Sequence, residues 1–415
     1  VSGEKCKGQY FTKSKLLKDV VSGFIKTSPE KVLEPSFGQG DLFEVFPDTA
    51  KTIVAYEIDL NLKSSAKYIR KPHTKYHIRY KNFLDARLRH SSFNCIAANP
   101  PYISANSTKN KTNIYIKFIE KCARLVKSSG EMIFIAPVEF FKLSTSRQVV
   151  TWMYNNGSFT DIFYPNKPDL FESANVDVMV FRWVRGQSAN GVKVNVWYTK
   201  SPLEHPPDIR YAFLNNGVMT LASTRLNCSD VVAISKHFDL KMGMTSGKES
   251  VYRNDVHGNI LVRVSDGDQG LAKYIFYDDC VTQDDIPKDV LDYLLQYKPS
   301  LLSRKIRKFS EKCWWKWGAA RNAKYYRQSD SKTTLGIYVR VQSRNKSPAF
   351  VAPVTYTGNN LTLLVPKFST SIENLKNIAD YLNSSEFLMN YTASGKIVLG
   401  LNQIKHAVIP SVLIS

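Results

Sequence analysis

The sequence predicts an α/β protein with a mostly parallel sheet covered by helices on both faces and an antiparallel strand at its late edge. A second unit of mixed α+β character follows. Three observations predict this. The first half alternates strand-like apolar runs with amphipathic helical ones, the alternation is lost after about residue 228, and 415 residues exceed the size at which one core usually keeps growing. The units are therefore expected to span 1–228 and 229–415.

In chain order, strand patterns fall at 31–33, 52–56, 76–80, 94–98, 131–136, 159–164 and 176–184. Helical patterns lie between them at 14–25, 42–46, 60–69, 113–126 and 145–154. Such alternation folds through right-handed crossovers into a parallel sheet, and ligands then sit outside the carboxyl ends of its strands. The last two strands follow each other with little helix between them, so one is expected to run antiparallel. The glycine-bounded turn from Gly186 to Gly191 reads as a hairpin-like link to a further strand at 192–198, and Pro202, Pro206 and Pro207 mark a linker or an irregular crossing. Beyond it come turn glycines, short strands and basic aromatic stretches.

Composition narrows the function classes. Hydrophobic residues make up 43% and aromatics 12%, there is no run of 18 apolar residues, and no signal-peptide pattern occurs at the start. The expectation is a soluble, cytoplasmic protein without a membrane partner. Six cysteines without a C-x-x-C pair or a nearby histidine in ligand spacing predict neither a disulfide framework nor a metal site. Lys and Arg number 57 against 36 Asp and Glu, a net charge of +21, which favours polyanions as partners. The excess concentrates between Lys298 and Lys346, where fourteen basic residues meet two acids and are interleaved with Trp314, Trp315, Trp317, Tyr325, Tyr326 and Tyr338. Cations interleaved with aromatics suit a nucleic acid, with Lys305, Arg307, Lys308, Trp314, Trp315, Lys316 and Arg321 as candidate contacts.

Three signals carry chemistry. The run from Val32 to Gly40, with Glu34, Pro35, Gly38 and Gly40, is a strand that ends in an acid and turns through two glycines, which let backbone approach a ligand closely. A nicotinamide fingerprint would want a third glycine at position 43, which is Phe. Glu34 suits a cationic amino-acid group better than a pyrophosphate, and that favours S-adenosylmethionine. Glu57, followed by Ile58 about twenty residues beyond the loop, is placed as a ribose-binding acid. Asn82 and Phe83 close the third strand, where an amide and a ring could flank an adenine.

The strongest signal is Asn99-Pro100-Pro101-Tyr102 at the end of the fourth strand. A conjugated exocyclic amine is a poor nucleophile because its lone pair is delocalised. If the Asn99 side-chain oxygen and the Pro100 carbonyl accept its two N–H groups, the nitrogen is drawn toward tetrahedral geometry. The prolines stiffen the loop, Tyr102 can stack on the base, and positioning in line with an activated methyl supplies most of the acceleration.

On these residues the chain resembles the gamma class of adenine-N6 DNA methyltransferases, the TaqI type of restriction-modification methyltransferase. The resemblance is specific over about the first 185 residues. Gly8-Gln9-Tyr10-Phe11-Thr12 matches the family's N-terminal cofactor segment, Glu34 to Gly40 its acid and glycine motif, Glu57 its ribose acid, and Asn99 to Tyr102 its catalytic tetrapeptide. Phe171 matches the aromatic that packs against the target base. Lys13 stands where the family usually has Pro, and Asn82 where an acid is common. Gly243-Met244-Thr245-Ser246-Gly247 and the segment from Trp314 to Trp317 look like elements of its target-recognition domain.

The resemblance implies a class I S-adenosylmethionine-dependent methyltransferase domain joined to a target-recognition domain. It also implies double-stranded DNA as substrate and an adenine flipped from the duplex, with the loop at 104–113 as a candidate for closing over it. The restriction endonuclease would be a separately encoded partner, and one unit for chemistry with one for the target suits a monomer. Two other readings share the tetrapeptide: a methyltransferase acting on RNA or on protein glutamine, and a non-catalytic DNA-binding module of the same fold.

Overall fold

The computed structural model describes residues 11–415 except 65, 69, 104–112, 166–176, 187, 199–204, 266–269, 279, 329–333, 394 and 415. Gln9, Tyr10, Phe171 and the 104–112 loop, all singled out above, lie outside the described residues. The chain divides into two compact units, Val1–Asn227 with Ala393–Gly395, and Cys228–Thr392 with Lys396–Ser415.

The first unit is built on a ten-stranded sheet. Its strands are β1 (Lys31–Glu34), β2 (Thr52–Glu57), β3 (Lys75–Tyr80), β4 (Phe93–Ala98), β5 (Val126–Pro137), β6 (Gly157–Phe163), β7 (Val178–Arg185), β8 (Lys193–Trp197), β9 (Asp208–Asn215) and β10 (Val218–Ala222), with α1 (Lys15–Phe24), α2 (Ile114–Leu125) and α3 (Arg147–Asn156) among them. The spatial order is β10-β9-β8-β6-β7-β5-β4-β1-β2-β3. Strands β1 to β5 pair in parallel, and β7 runs antiparallel to both β5 and β6. That arrangement, 3-2-1-4-5-7-6 with strand 7 reversed, is the class I methyltransferase fold.

Why these segments form these elements is visible in their side chains. Helix α1 buries Leu17, Val20, Val21 and Phe24, spaced i, i+3, i+4, i+7, and Ser14 caps its first turn. The central strands are apolar on both faces because both are covered. Leu33, Ile96 and Phe134 pack into one cluster, while their chain neighbours Val32, Cys95 and Ile133 pack into the other. Strand β3 forms one edge of the sheet, with Lys75, His77 and Arg79 exposed and Tyr76, Ile78 and Tyr80 half-buried.

The structure differs from the sequence expectation in four places. The helical patterns at 42–46 and 60–69 are only short 3-10 turns, Phe43–Val45 and Leu60–Lys63. Pro47 cuts off the first, and both connections are filled by an aromatic cluster of Phe37, Phe43, Tyr68 and Tyr76. The antiparallel strand β7 is inserted inside the sheet, and the late edge runs on through β8, β9 and β10. The turn near Gly186 is not a hairpin. Both edges of β7 are already taken by β5 and β6, so the next strand crosses to the open edge of β6 and pairs with it in parallel. Pro206 and Pro207 therefore punctuate a connection within the first unit, which continues to β10.

A buried polar row crosses β5, β7, β6 and β8. Arg182 Nε donates to Glu131 at 2.7 Å and Arg182 Nη1 lies 3.4 Å from Asp161, while Asp161 also accepts from Lys26 at 2.5 Å and Asn195 at 2.9 Å. Glu131 and Asp161 are fully buried.

In the second unit, four antiparallel strands are ordered Phe238–Met242, Leu361–Pro366, Leu335–Arg340, Ala349–Pro353. Helix Ile372–Asn383 contributes Leu375, Ile378 and Leu382 to the core that covers one face. The unit is mixed α+β. Trp314, Trp315, Trp317, Tyr326 and Tyr338 are all buried in its other core.

Candidate active site

The carboxyl ends of β1, β2, β3 and β4 lie side by side and open on a cavity of about 510 Å³. Of the residues singled out above, Phe11, Pro35, Gly38, Glu57, Ile58, Asn82, Phe83, Asn99 and Pro101 line it. Glu34, Thr12, Gly40, Pro100 and Tyr102 are not among its lining.

The glycine loop is shaped by backbone geometry. Gly38 has φ +57° and Gly40 φ +91°, and a Cβ on Gly40 would come within 2.9 Å of the Phe37 ring. The N–H of Gly38 donates to Glu57 at 2.7 Å, and that of Asp59 donates to its other oxygen at 2.8 Å. Loop and acid are thus fixed to each other, with the Glu57 carboxylate on the cavity wall. Ile58 beside it is 68% exposed, an apolar flap on the rim. Glu34 is buried at the end of β1 and its Oε2 has no hydrogen-bond partner. Burial, with the Asp41 and Glu57 carboxylates nearby, pushes the Glu34 carboxyl well above the usual range.

At the tetrapeptide, Asn99 is 8% exposed. Its Nδ2 donates to the Thr12 hydroxyl at 3.0 Å, and its Oδ1 accepts from the Tyr102 hydroxyl at 2.6 Å. The Ser36 hydroxyl donates to the Asn99 main-chain carbonyl at 3.2 Å. These contacts hold the amide in one orientation. The Tyr102 hydroxyl also lies 3.2 Å from the Ile135 carbonyl, and its ring meets Tyr115 edge-on. In this arrangement Tyr102 braces Asn99.

The third-strand pair lines the cavity from a short turn of its own. The Asn82 side chain caps its own turn, accepting from Leu84 N at 3.1 Å and donating to Asp85 at 2.7 Å. Phe83 is 2% exposed, packed against Tyr56 and Phe118. Sequence reading missed Lys121, whose ammonium donates to the carbonyls of Phe83, Leu84 and Ala86 at 2.6 to 2.8 Å and ties this turn to α2. It also missed Ile114 and Phe118, one helical turn apart, which bring a face of α2 to the cavity. Their i, i+4 spacing was the available signal.

Of the candidate nucleic-acid contacts in the second unit, Lys305, Arg307, Lys308 and Arg321 are exposed and Lys316 is half-buried. Trp314 and Trp315 are corrections: at 0% and 5% exposure they are core residues, and stacking on a base is closed to them in this conformation.

Strand order and cavity together define the fold, that of the class I S-adenosylmethionine-dependent methyltransferases. Residues 22–171 match the family model of the Eco57I restriction-modification methylase. The chain is 21% identical over 444 residues to the Type II methyltransferase M.HindII of Haemophilus influenzae, covering 91% of this chain and 83% of that protein. It is 24% identical over 216 residues to Type II methyltransferase M.HincII of Haemophilus influenzae, covering 48% and 41%. In fold it is similar to the Type IIL restriction-modification enzyme MmeI, solved in complex with DNA, with a TM-score of 0.55 and 9% identity over 95% of this chain and 64% of that one. In sequence the chain is thus similar to methyltransferases of the restriction-modification type.

Proposed function

We propose that the protein methylates N6 of an adenine swung out of duplex DNA, as a gamma-class enzyme does. The observation that carries this reading is Asn99, a nearly buried amide at the cavity wall whose nitrogen donates to Thr12 and whose oxygen accepts from Tyr102, which fixes the oxygen as the acceptor end of the amide. An adenine amine brings two N–H groups, and the Asn99 oxygen and the Pro100 carbonyl are the pair that would receive them. Accepting both localises the nitrogen lone pair, and the proline-stiffened loop keeps the two acceptors in place as it forms.

The residues fit S-adenosylmethionine. When bound, that cofactor supplies a methyl already activated on a sulfonium. Glu57 would take the ribose hydroxyls, Ile58 and Phe11 would cover the adenine, and the turn of Asn82 and Phe83 would border it. The Gly38 and Gly40 loop gives the amino-acid end a close backbone approach, and Glu34 supplies a buried carboxyl that a cation would satisfy. Of the segment preceding α1, Gln9 and Tyr10 would complete this wall, and Phe171 would pack against the flipped base. Exposed Lys305, Arg307, Lys308 and Arg321, with Lys316, would contact phosphates. The protein would act as a monomer alongside a separately encoded restriction endonuclease.

The test is transfer of labelled methyl to mixed-sequence duplex DNA with nucleoside analysis. N6-methyladenine that falls by about 10²-fold or more in Asn99→Ala supports the reading, by analogy with removal of one preorganised polar contact at a reacting centre. Label on RNA or protein with none on DNA would overturn it.

A further inference from the structure

Within the second unit, two loops are zipped together. The Thr245 N–H donates to the Ala319 carbonyl at 2.9 Å, the Ala319 N–H donates back to Thr245 at 2.9 Å, and the Gly318 N–H donates to Ser246 at 3.1 Å. Arg304, 8% exposed, locks the junction. Its guanidinium donates to the carbonyls of Leu301, Ser246 and Trp314 at 2.6 to 2.7 Å and of Lys316 at 3.0 Å, and stacks on Phe309 at 3.8 Å. A planar fork with its donors on four carbonyls fixes three segments at once.

On this fixed base sits Ile306. A Cβ on Gly247 would come within 2.7 Å of its Cδ1, and a Cβ on Gly318 within 2.8 Å of its Cγ2. The two glycines are thus the seat of the isoleucine, and Gly247 holds φ +84°, where only glycine is comfortable. The other side of Ile306 is in solvent, at 45% exposure. Lys305 and Arg307 beside it, Lys308, and Lys248 on the facing loop are exposed too. The acid of that loop, Glu249, is engaged by Ser246 and Tyr274. A rigidly seated aliphatic side chain surrounded by cations is costly to leave in water and has no packing role on its outer face.

We infer that Ile306 is a specificity-determining residue that reads the C5-methyl group of a thymine in the target duplex. The inference rests on duplex DNA being the substrate. Cations bring the loop to the phosphates and carry no sequence information. Among the groups that base edges present in the major groove, the thymine methyl is the apolar one, so an aliphatic side chain there discriminates through it.

The experiment uses the full chain, S-adenosylmethionine and a randomised duplex library, followed by the preferred site remade with each thymine replaced in turn by uracil. In the wild type, one thymine position should lose about fourfold to tenfold in kcat/KM when its methyl is removed, the worth of one buried methyl. Ile306→Ala should treat thymine and uracil alike at that position and keep its preferences elsewhere. Ile306→Val, which retains the seat, should stay between the two, and Lys308→Ala should slow all sites equally. An Ile306→Ala enzyme with the thymine-to-uracil ratio of the wild type, or one slowed equally at every site, would overturn the inference. A wild type that methylates no DNA while binding the cofactor would overturn the DNA reading itself, a distinguishable failure.

Discussion

Glu34 has one carboxylate oxygen buried without a partner, and its ionisation state links the site to pH. Its folded pKa is raised above the ordinary 4.5, so between those two values the folded protein holds a proton that the unfolded chain has lost. The stability this group contributes is therefore greatest below 4.5 and declines as pH rises through the raised value. A cation placed against the carboxyl reverses the shift and expels the proton. Binding of S-adenosylmethionine is expected to release protons at mildly acidic pH, measured by calorimetry in buffers of low and high ionisation enthalpy. Equal heats in both buffers, or the same proton release from Glu34→Gln, would remove Glu34 from the cofactor site. At this scale the sequence was informative where a residue type is chemically unusual for its place. An acid ending a strand before G-x-G and an amide before two prolines both stood out. The orientation of Asn82 did not, because an asparagine at a strand end suits a turn cap as well as a ligand contact.

Elements hold these residues in register. The Asn82–Ala86 turn depends on α2 through Lys121, whose ammonium gathers three of its carbonyls. Lys121→Met should loosen that wall and raise the KM for S-adenosylmethionine several-fold while kcat stays near wild type. A fall in kcat with KM unchanged would place Lys121 in the chemistry instead. The polar row across β5, β7, β6 and β8 is a different case. Arg182 is 9% exposed between two fully buried carboxylates, so removing it takes the cation from Glu131 while Asp161 keeps Lys26. Arg182→Met should cost about 3–5 kcal/mol in denaturant unfolding, the usual penalty for breaking a buried pair from one side. Burial raises the Asp161 pKa, and the hydrogen bonds from Lys26, Asn195 and Thr160 more than offset it and hold the carboxyl below 3.8. Its stabilisation is present above 3.8 and is lost as pH falls further. Strands β1, β2 and β4 to β7 were legible because two covered faces demand apolar runs, and the edge strand β3 because half-buried Tyr76, Ile78 and Tyr80 alternate with exposed polar residues. The pairing of β8 was not, since a glycine-rich turn announces a reversal but does not say which edge is vacant.

For the whole molecule, the net charge of +21 predicts a duplex affinity that depends steeply on salt. If six to ten phosphates are contacted, Kd rises by about 10³ to 10⁵ between 50 and 200 mM salt. Titration of a labelled duplex measures the slope, and a change below tenfold over that range would rule out an interface of that size. The charge was plain in the sequence, but which aromatics accompany it at the surface was not. Burial of Trp314 and Trp315 depends on contacts with the distant segments around Tyr252 and Tyr274 that no local pattern encodes. The outer strand of the sheet adds a property of another kind. A second molecule adding itself to β3 in antiparallel fashion about His77 would set Lys75 against the newcomer's Arg79, and Arg79 against its Lys75. Facing like charges oppose such a ladder. The cations of β3 thereby guard the chain against sticking to itself through its own backbone.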